Sequence, residues 1–399
     1  MTERDVFLAA LDLADPTARA EYLDRACAGN PALRAKVETL LASHDQAGSF
    51  LGAPAVPPAD PDYAATQDFA AGAASTDGRR AAPEPNEAVA FLAPAQRPDS
   101  LGRIGHYEVL QVLGRGGFGV VFRAFDDLLQ RVVAVKVLSP QMAATSPARK
   151  RFLREARTSA QVRHENVVQV YEVGEQPLPY LVMEFIPGET LQQRLDRTGS
   201  VDPAEVVRIG RQLAEGLAAA HACDLIHRDI KPGNVLLDGA QLRVKITDFG
   251  LARAADDASI SQSGIIAGTP MYMAPEQAKG DSLDHRADLF SLGSVLYQMT
   301  TGRPPFRAST TLAVLKRVAE DDPRPIREII PEAPRWLCDI IGKLHAKNPD
   351  DRFQSAREVA DVLAACEERL KANTSPGGFP KVAPAARKPA ADRPRRKWA

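Results

Sequence analysis

Two hydrophobic rhythms divide the chain. From Tyr107 onward come short runs rich in β-branched and aromatic residues. YEVLQVL, VVFRAF, RVVAVKVL, VVQVYEVGE and YLVMEFI read as strands. One segment interrupts them: SPARKRFLREARTSAQV has helical spacing, with Ser146 as cap and Pro147 at the first position. After YLVMEFI the period changes to that of a helix. Asp202-Pro203 opens a long helix bearing Val206, Ile209, Leu213 and Leu217. ADLFSLGSVLYQMTTG, LAVLKRVAE, WLCDIIGKLHAK and SAREVADVLAACEERLK follow. A strand-rich part of roughly 80 residues before a helical part about twice that size predicts an α+β fold of two lobes with a cleft between them. One stretch of the helical part departs from the pattern. HRDIKPGN, residues 227–234, separates the helix LAEGLAAAHACDLI from the short strand NVLLD. Pro232 and Gly233 exclude regular structure there, so Asp229, Lys231 and Asn234 are displayed on a loop.

The flanks carry weaker patterns. Residues 1–48 predict a small helical module: Asp15-Pro16 and Asn30-Pro31 are cap-plus-proline starts, and Leu33, Val37, Leu40 and Leu41 recur at helical spacing. Residues 49–104 interleave prolines with Ala, Asp and Gly without periodicity and predict a disordered linker. Residues 105–370 form the body, and residues 371–399 a basic, proline-rich tail. A net charge of −1 supplies no basic field, so nucleic acid is not an expected partner. Cys27, Cys223, Cys338 and Cys366 form no C-x-x-C pair and read as free thiols of a reducing compartment, hence a cytoplasmic expectation. The first residues lack a signal-peptide core, and no run of about 18 apolar residues occurs. The RPRRKWA end reads in two ways: a solvated basic tail, or the cytosolic edge of a chain that continues into a membrane.

The chemistry sits at the junctions of this pattern. LGRGGFGVVFRA contains Gly114, Gly116 and Gly119 at G-x-G-x-x-G spacing. A dinucleotide-binding loop would open a helix. Here Val120, Val121 and Phe122 continue as a strand, so the loop is a hairpin whose backbone N–H groups can close over phosphates. A phosphate-binding loop of the G-x-x-x-x-G-K type is absent from the sequence. Lys136 lies within an apolar strand and needs a partner, for which Glu155 in the following helix is the candidate. KITDFG puts Asp248 at a strand end, where a carboxylate is a natural Mg²⁺ ligand.

GRGGFGVV, VAVK, HRDIKPGN, DFG and APE together, in this order and spacing, resemble the protein kinase family, and the style is similar to bacterial eukaryotic-like Ser/Thr protein kinases. The resemblance covers about residues 107–370. It implies a two-lobed kinase fold and transfer of the γ-phosphate of ATP to Ser/Thr hydroxyls of protein substrates. Asp229 would accept the hydroxyl proton and Lys231 would neutralise the transferring group. Asn234 and Asp248 would hold two Mg²⁺ ions, with Mn²⁺ as an alternative. Lys136, braced by Glu155, would hold the α- and β-phosphates. Leu113, Gly114, Arg115, Gly116, Gly117, Phe118 and Gly119 would cover the nucleotide. Val121, Ala134 and Leu236 would sandwich adenine. Met183 would be the gatekeeper, and Glu184 and Ile186 would present hinge backbone. Thr269 and Lys231 mark the Ser/Thr branch. Glu276 would pair with Arg352, and Asp288 would hold the polar loop from below. Arg228 before the catalytic Asp implies a switch by phosphorylation, with Ser261 and Ser263 as the sites. The alternative is a pseudokinase scaffold that binds ATP without transfer. Residues 1–48 remain either a docking unit for a partner or a plain appendage.

Overall fold

The apolar runs between residues 102 and 184 become a single antiparallel sheet in the computed structural model of this chain. Its strands are β1 (Gly102–Ile104), β2 (Tyr107–Gly116), β3 (Gly119–Asp126), β4 (Arg131–Leu138), β5 (Val170–Gly174) and β6 (Tyr180–Glu184). They lie in the order β1-β2-β3-β4-β6-β5. Between β4 and β5 come a short helix α1 (Pro140–Ala143) and the longer α2 (Ser146–Ser159). Both sheet faces are apolar. Tyr107, Val109, Phe122, Val133 and Val135 form one cluster. Ala134, Val170, Leu181 and Met183 form the other, which receives Phe152, Leu153 and Ala156 of α2. Helix α2 starts one residue earlier than its sequence suggests: Thr145 is the extended cap residue and Ser146 already lies in the first turn.

The structure describes residues 22, 23, 25–27, 34, 90–116, 119–239, 242–249, 270–372, 379, 380 and 382. The chain divides into two compact units, Met1–Ala71 and Gly72–Ala399. The first shows a helical turn around the buried Leu23 and Cys27, joined by a 2.9 Å backbone hydrogen bond. The rest of the expected helical module, and the expected linker up to residue 89, lie outside the described residues.

The expected linker boundary at 104 is corrected by the second unit. Residues 90–104 belong to the sheet: Ala93 pairs with Arg103, β1 pairs with β2, and Phe91 and Leu92 pack against the Phe122 cluster. Pro94 and Pro98 read as linker residues, but Phe91 and Leu92 find a sheet face to cover.

The second lobe begins with β7 (Gly188–Thr190), α3 (Leu191–Thr198) and α4 (Pro203–His221), then the hairpin β8 (Val235–Asp238) and β9 (Arg243–Ile246). Helices α5 (Pro275–Lys279), α6 (Arg286–Thr301), α7 (Thr311–Glu320), α8 (Arg335–Leu344) and α9 (Ala356–Lys371) follow. Asp202 starts α4 as the sequence suggests, its side chain accepting from the Ala204 and Glu205 amides. Helix α6 is buried from Ala287 through Thr301, the mark of a helix surrounded by others. Beyond α9, Phe379 stacks on Trp336 of α8 with ring centroids 4.5 Å apart and planes 5° from parallel, and Val382 packs on the same core. Among the described residues no helix is long and apolar enough to cross a membrane.

Hairpin β8–β9 positions the site. HRDIKPGN feeds into β8 through the 3₁₀ turn Pro232–Asn234, and β9 runs out into Asp248. Val235 pairs with Ile246, so Asn234 and Thr247 meet just outside the ladder, where the Thr247 amide donates to the Asn234 carbonyl at 3.0 Å.

Candidate active site in the interlobe cleft

The polar loop is held from beneath by one carboxylate. Asp288, wholly buried at the start of α6, accepts from the His227 amide at 2.8 Å, the Arg228 amide at 2.7 Å and the His221 ring Nε2 at 2.9 Å. Burial alone would raise its pKa. The His221 hydrogen bond, the two imidazoles and the His227 amide outweigh it and hold the carboxyl below its ordinary value. Arg228 takes a left-handed conformation (φ 68°), and Gln277 of α5 donates to its carbonyl at 2.9 Å. His227 fixes the next turn. Its Nδ1 accepts from the Asp229 amide at 3.2 Å, so Nε2 carries the proton given to the Thr247 carbonyl at 2.9 Å.

Asp229 and Asn234 meet on this base. Asn234 Nδ2 lies 2.7 Å from the Asp229 carbonyl and 3.1 Å from its Oδ2. Both partners are acceptors, so the amide orientation is decided and the Asn234 side-chain oxygen points elsewhere. Lys231 Nζ lies 2.8 Å from Asp229 Oδ2.

Asp248 also has a left-handed backbone (φ 65°). Phe249 is buried beside it, its ring 4.6 Å from that of His227. The Asp248 carboxylate reaches across the cleft to Lys136 of β4, 2.9 Å from Oδ1 to Nζ. Burial pushes its pKa up, but Lys136 chiefly, with Lys231 adding to it, holds it below the ordinary carboxylate value. It therefore stays ionised. Lys136 thus forms an ion pair with Asp248, while Glu155, its expected brace, is buried on α2.

The roof is the β2–β3 hairpin. At its tip Gly119 has φ +150°, and a Cβ there would fall 1.9 Å from the Val137 carbonyl oxygen. Only glycine allows that approach. Gly114, Arg115 and Gly116 lie on the exposed end of β2, with Leu113 45% exposed. Val121, Ala134, Met183 and Ile186 share one apolar cluster with Leu236, which comes from the other lobe. The Glu184 amide is spent on the Gln169 carbonyl at 2.9 Å, and its carboxylate on Lys245 at 2.8 Å. A cavity of about 10 Å³ beside Met183, bounded by Leu181, Thr247, Asp248 and Phe249, holds at most about one water.

The sequence matches the protein kinase domain over residues 107–363. The chain belongs to the protein kinase family. Serine/threonine-protein kinase PknB of Mycobacterium leprae is 39% identical over 264 residues, 64% of this chain and 42% of that protein. A probable serine/threonine-protein kinase of Streptomyces coelicolor is 38% identical over 278 residues, 68% of this chain and 41% of that protein. The chain thus matches less than half the length of these curated relatives. Among solved structures, the PknI kinase domain of Mycobacterium tuberculosis aligns with a TM-score of 0.54 at 30% identity, covering 66% of this chain and 98% of that one. The family uses ATP and a divalent cation.

The kinase fold also carries a pair remote from the cleft. Arg352, wholly buried, makes two 2.7 Å hydrogen bonds to Glu276 and donates to the Ala346, Lys347 and Arg286 carbonyls. The structure thus brings together Glu276 with Arg352, Asp288 with the polar loop, and Asp229 with Lys231 and Asn234. Gly117, Phe118, Ser261, Ser263 and Thr269 lie outside the described residues. Sequence reasoning passed over His221, His227, Gln277, Lys245 and Asn166. Asn166, buried, donates to the Val244 carbonyl at 2.9 Å and so ties the chain after α2 to β9. For His227 a signal existed: it abuts the Arg-Asp pair in HRDIKPGN.

Proposed function

We propose that this kinase transfers the γ-phosphate of ATP to Ser or Thr hydroxyls of protein substrates. The observation that carries the reading is Asp229, a carboxylate oriented by Asn234 and Lys231 on a loop clamped to the buried Asp288. A hydroxyl brought to Asp229 gives up its proton there as it attacks, and the carboxylate first orients it. Lys231, 2.8 Å from that carboxylate, neutralises charge where the phosphoryl group passes. Lys136, near the ionised Asp248, holds the remaining phosphates, and Glu155 supports it from α2.

The donor set fits magnesium. Asp248 is an ionised carboxylate, and the side-chain oxygen of Asn234 is left over after its NH₂ is spent on Asp229. Two hard oxygens at neighbouring chain ends suit an ion that completes its shell with phosphate and water. When bound, two Mg²⁺ ions would neutralise the phosphate oxygens and draw off charge from the leaving group. The apolar cluster of Val121, Ala134, Met183 and Leu236 takes the adenine ring, with Glu184 and Ile186 offering hinge backbone. Lys231 and Thr269 favour Ser/Thr over Tyr.

Control belongs to the segment between DFG and APE: we assign autophosphorylation to Ser261 or Ser263, with Arg228 receiving the phosphate. The experiment is incubation of the pure protein with ATP and Mg²⁺, followed by mapping of phosphosites by mass spectrometry. Phosphate on Ser and Thr, absent from Asp229→Asn, is the expected result. ATP binding without any transfer would make the chain a scaffold. A Ser261→Ala/Ser263→Ala variant as active as the parent would move the switch elsewhere.

A further inference from the structure

Residues 90–104 precede the family match at 107, yet they grip the strands that carry the glycine loop. On one face of the sheet, Phe91 meets Phe122 edge-on at 6.2 Å, and Leu92 joins the same cluster. At the edge, Ala93 and Arg103 exchange backbone hydrogen bonds of 2.9 and 2.8 Å. Gly102 allows the chain to cross there: its φ is +142°, and a Cβ would fall 2.7 Å from Leu92 Cβ and 2.8 Å from the Ala93 carbonyl oxygen. Past the edge, Arg97 lies 4.4 Å over the Phe125 ring and pairs with Asp127 at 2.7 Å. The Gln96 amide donates to Glu108 Oε1 at 3.0 Å. Glu108 is wholly buried, and its Oε2 has no hydrogen-bond partner among the described residues, so this donor matters to the root of β2.

What the grip controls follows from the pairing. Strand β2 is paired on its outer edge only from Tyr107 to Val109, through β1. From Leu110 to Gly116 that edge has no strand partner among the described residues, and a Cβ built on Gly114 or Gly116 meets nothing within 4 Å. Strand β3, by contrast, is paired on both sides along its length. The β2–β3 register slips twice, between Val109 and Gln111 and between Val112 and Gly114. Such bulges twist and re-aim a strand. The free arm is therefore a cantilever, aimed at its root, and its tip is the loop over the phosphates.

We propose that residues 90–104 are a clip that sets the glycine hairpin for nucleotide binding, with Phe91, Gln96 and Arg97 as positioning residues. The inference rests on the nucleotide reading of the cleft.

The test compares the full chain with Phe91→Ala/Leu92→Ala and, separately, Arg97→Ala, a change at a partly exposed side chain that spares the core. ATP affinity is measured by titration with a fluorescent ATP analogue and Mg²⁺, independently of transfer. KM for ATP and kcat are measured on a generic protein substrate, and amide hydrogen exchange is followed across residues 107–125. In both variants the Kd and KM for ATP should rise about five- to tenfold, kcat should stay within about twofold, and exchange should quicken in β2 more than in β3. A lowered Tm with unchanged Kd, KM and β2 exchange would reduce the clip to a structural support and overturn the proposal. A parent chain that binds no ATP would instead defeat the reading of the cleft. The exchange comparison would still decide whether the clip restrains β2.

Discussion

The HRDIKPGN loop and the glycine hairpin face the same cleft, but they are held by opposite means. The loop is bound along its backbone: two successive amides end on Asp288, and α5 takes the Arg228 carbonyl. The hairpin is bound at its root and, through β3, along one arm, while the outer edge of β2 beyond Val109 has no strand partner among the described residues. A group that must meet a proton within hydrogen-bond reach needs fixed geometry. A cover that must admit and release a nucleotide needs the reverse. The difference is one of where polar groups are spent: on buried partners below, exposed above.

The comparison breaks most sharply at Asp229. Asp229→Asn should lower kcat by about 10²–10⁴-fold while ATP affinity stays near that of the parent. Steady-state kinetics beside nucleotide titration check it, and near-parental turnover would remove Asp229 from its role. Next comes the base under the loop. Asp288→Ala leaves two buried amides without an acceptor and should cost about 3–5 kcal/mol of stability, read from urea unfolding. A loss below about 1 kcal/mol would mean the loop is not braced there.

The roof is sharpened by two glycines of one loop. Gly119→Val drives side-chain atoms into the Val137 carbonyl at a positive φ and should weaken ATP binding by about tenfold. Gly114→Ala meets nothing within 4 Å and should change affinity by less than about twofold. Equal effects would show that the two arms of the hairpin are equally constrained.

The smallest effect is graded by pH. Burial holds the His345 pKa down to about 3, with the Lys347 and Arg352 cations adding to it. In the unfolded chain an imidazole titrates near pH 6.5. Between those values the unfolded state binds a proton that the folded state refuses, so stability falls as pH falls, by up to about 1.4 kcal/mol per pH unit. Urea midpoints at pH 7, 6 and 5 should decline, and His345→Gln should flatten the slope. An unchanged slope in that variant would assign the acid sensitivity to other groups.

Much of this was legible in the sequence because the rhythms are strong. The strands β2, β3, β4 and β6 stand out as short runs rich in β-branched and aromatic residues, helices such as α4 show a spacing near 3.6, and Asp202 announces α4 by its capping chemistry. The candidate site residues could be named because several sit at fixed offsets in short unbroken motifs. What was not legible depends on partners far apart in sequence. Asp288 reaches back 67 residues to His221, and Gln277 reaches back 49 to Arg228. No local pattern encodes such pairings. The clip was hidden for another reason: Pro94 and Pro98 continue the proline spacing of the residues before them, whereas Phe91 and Leu92, with no periodic pattern around them, decide where the segment lies.

Phe379 lying flat on Trp336 gives the molecule an optical handle. Trp336 is one of two tryptophans in the sequence, and its indole has an aromatic plane from the segment beyond α9 in van der Waals contact. Lifting that segment would expose the indole to water and shift its emission to the red. Phe379→Ala should do so permanently, and any molecule that draws residues 379–382 off α8 should do so on binding. The large lobe thus carries its own fluorescent gauge of what happens to the chain where it leaves helix α9.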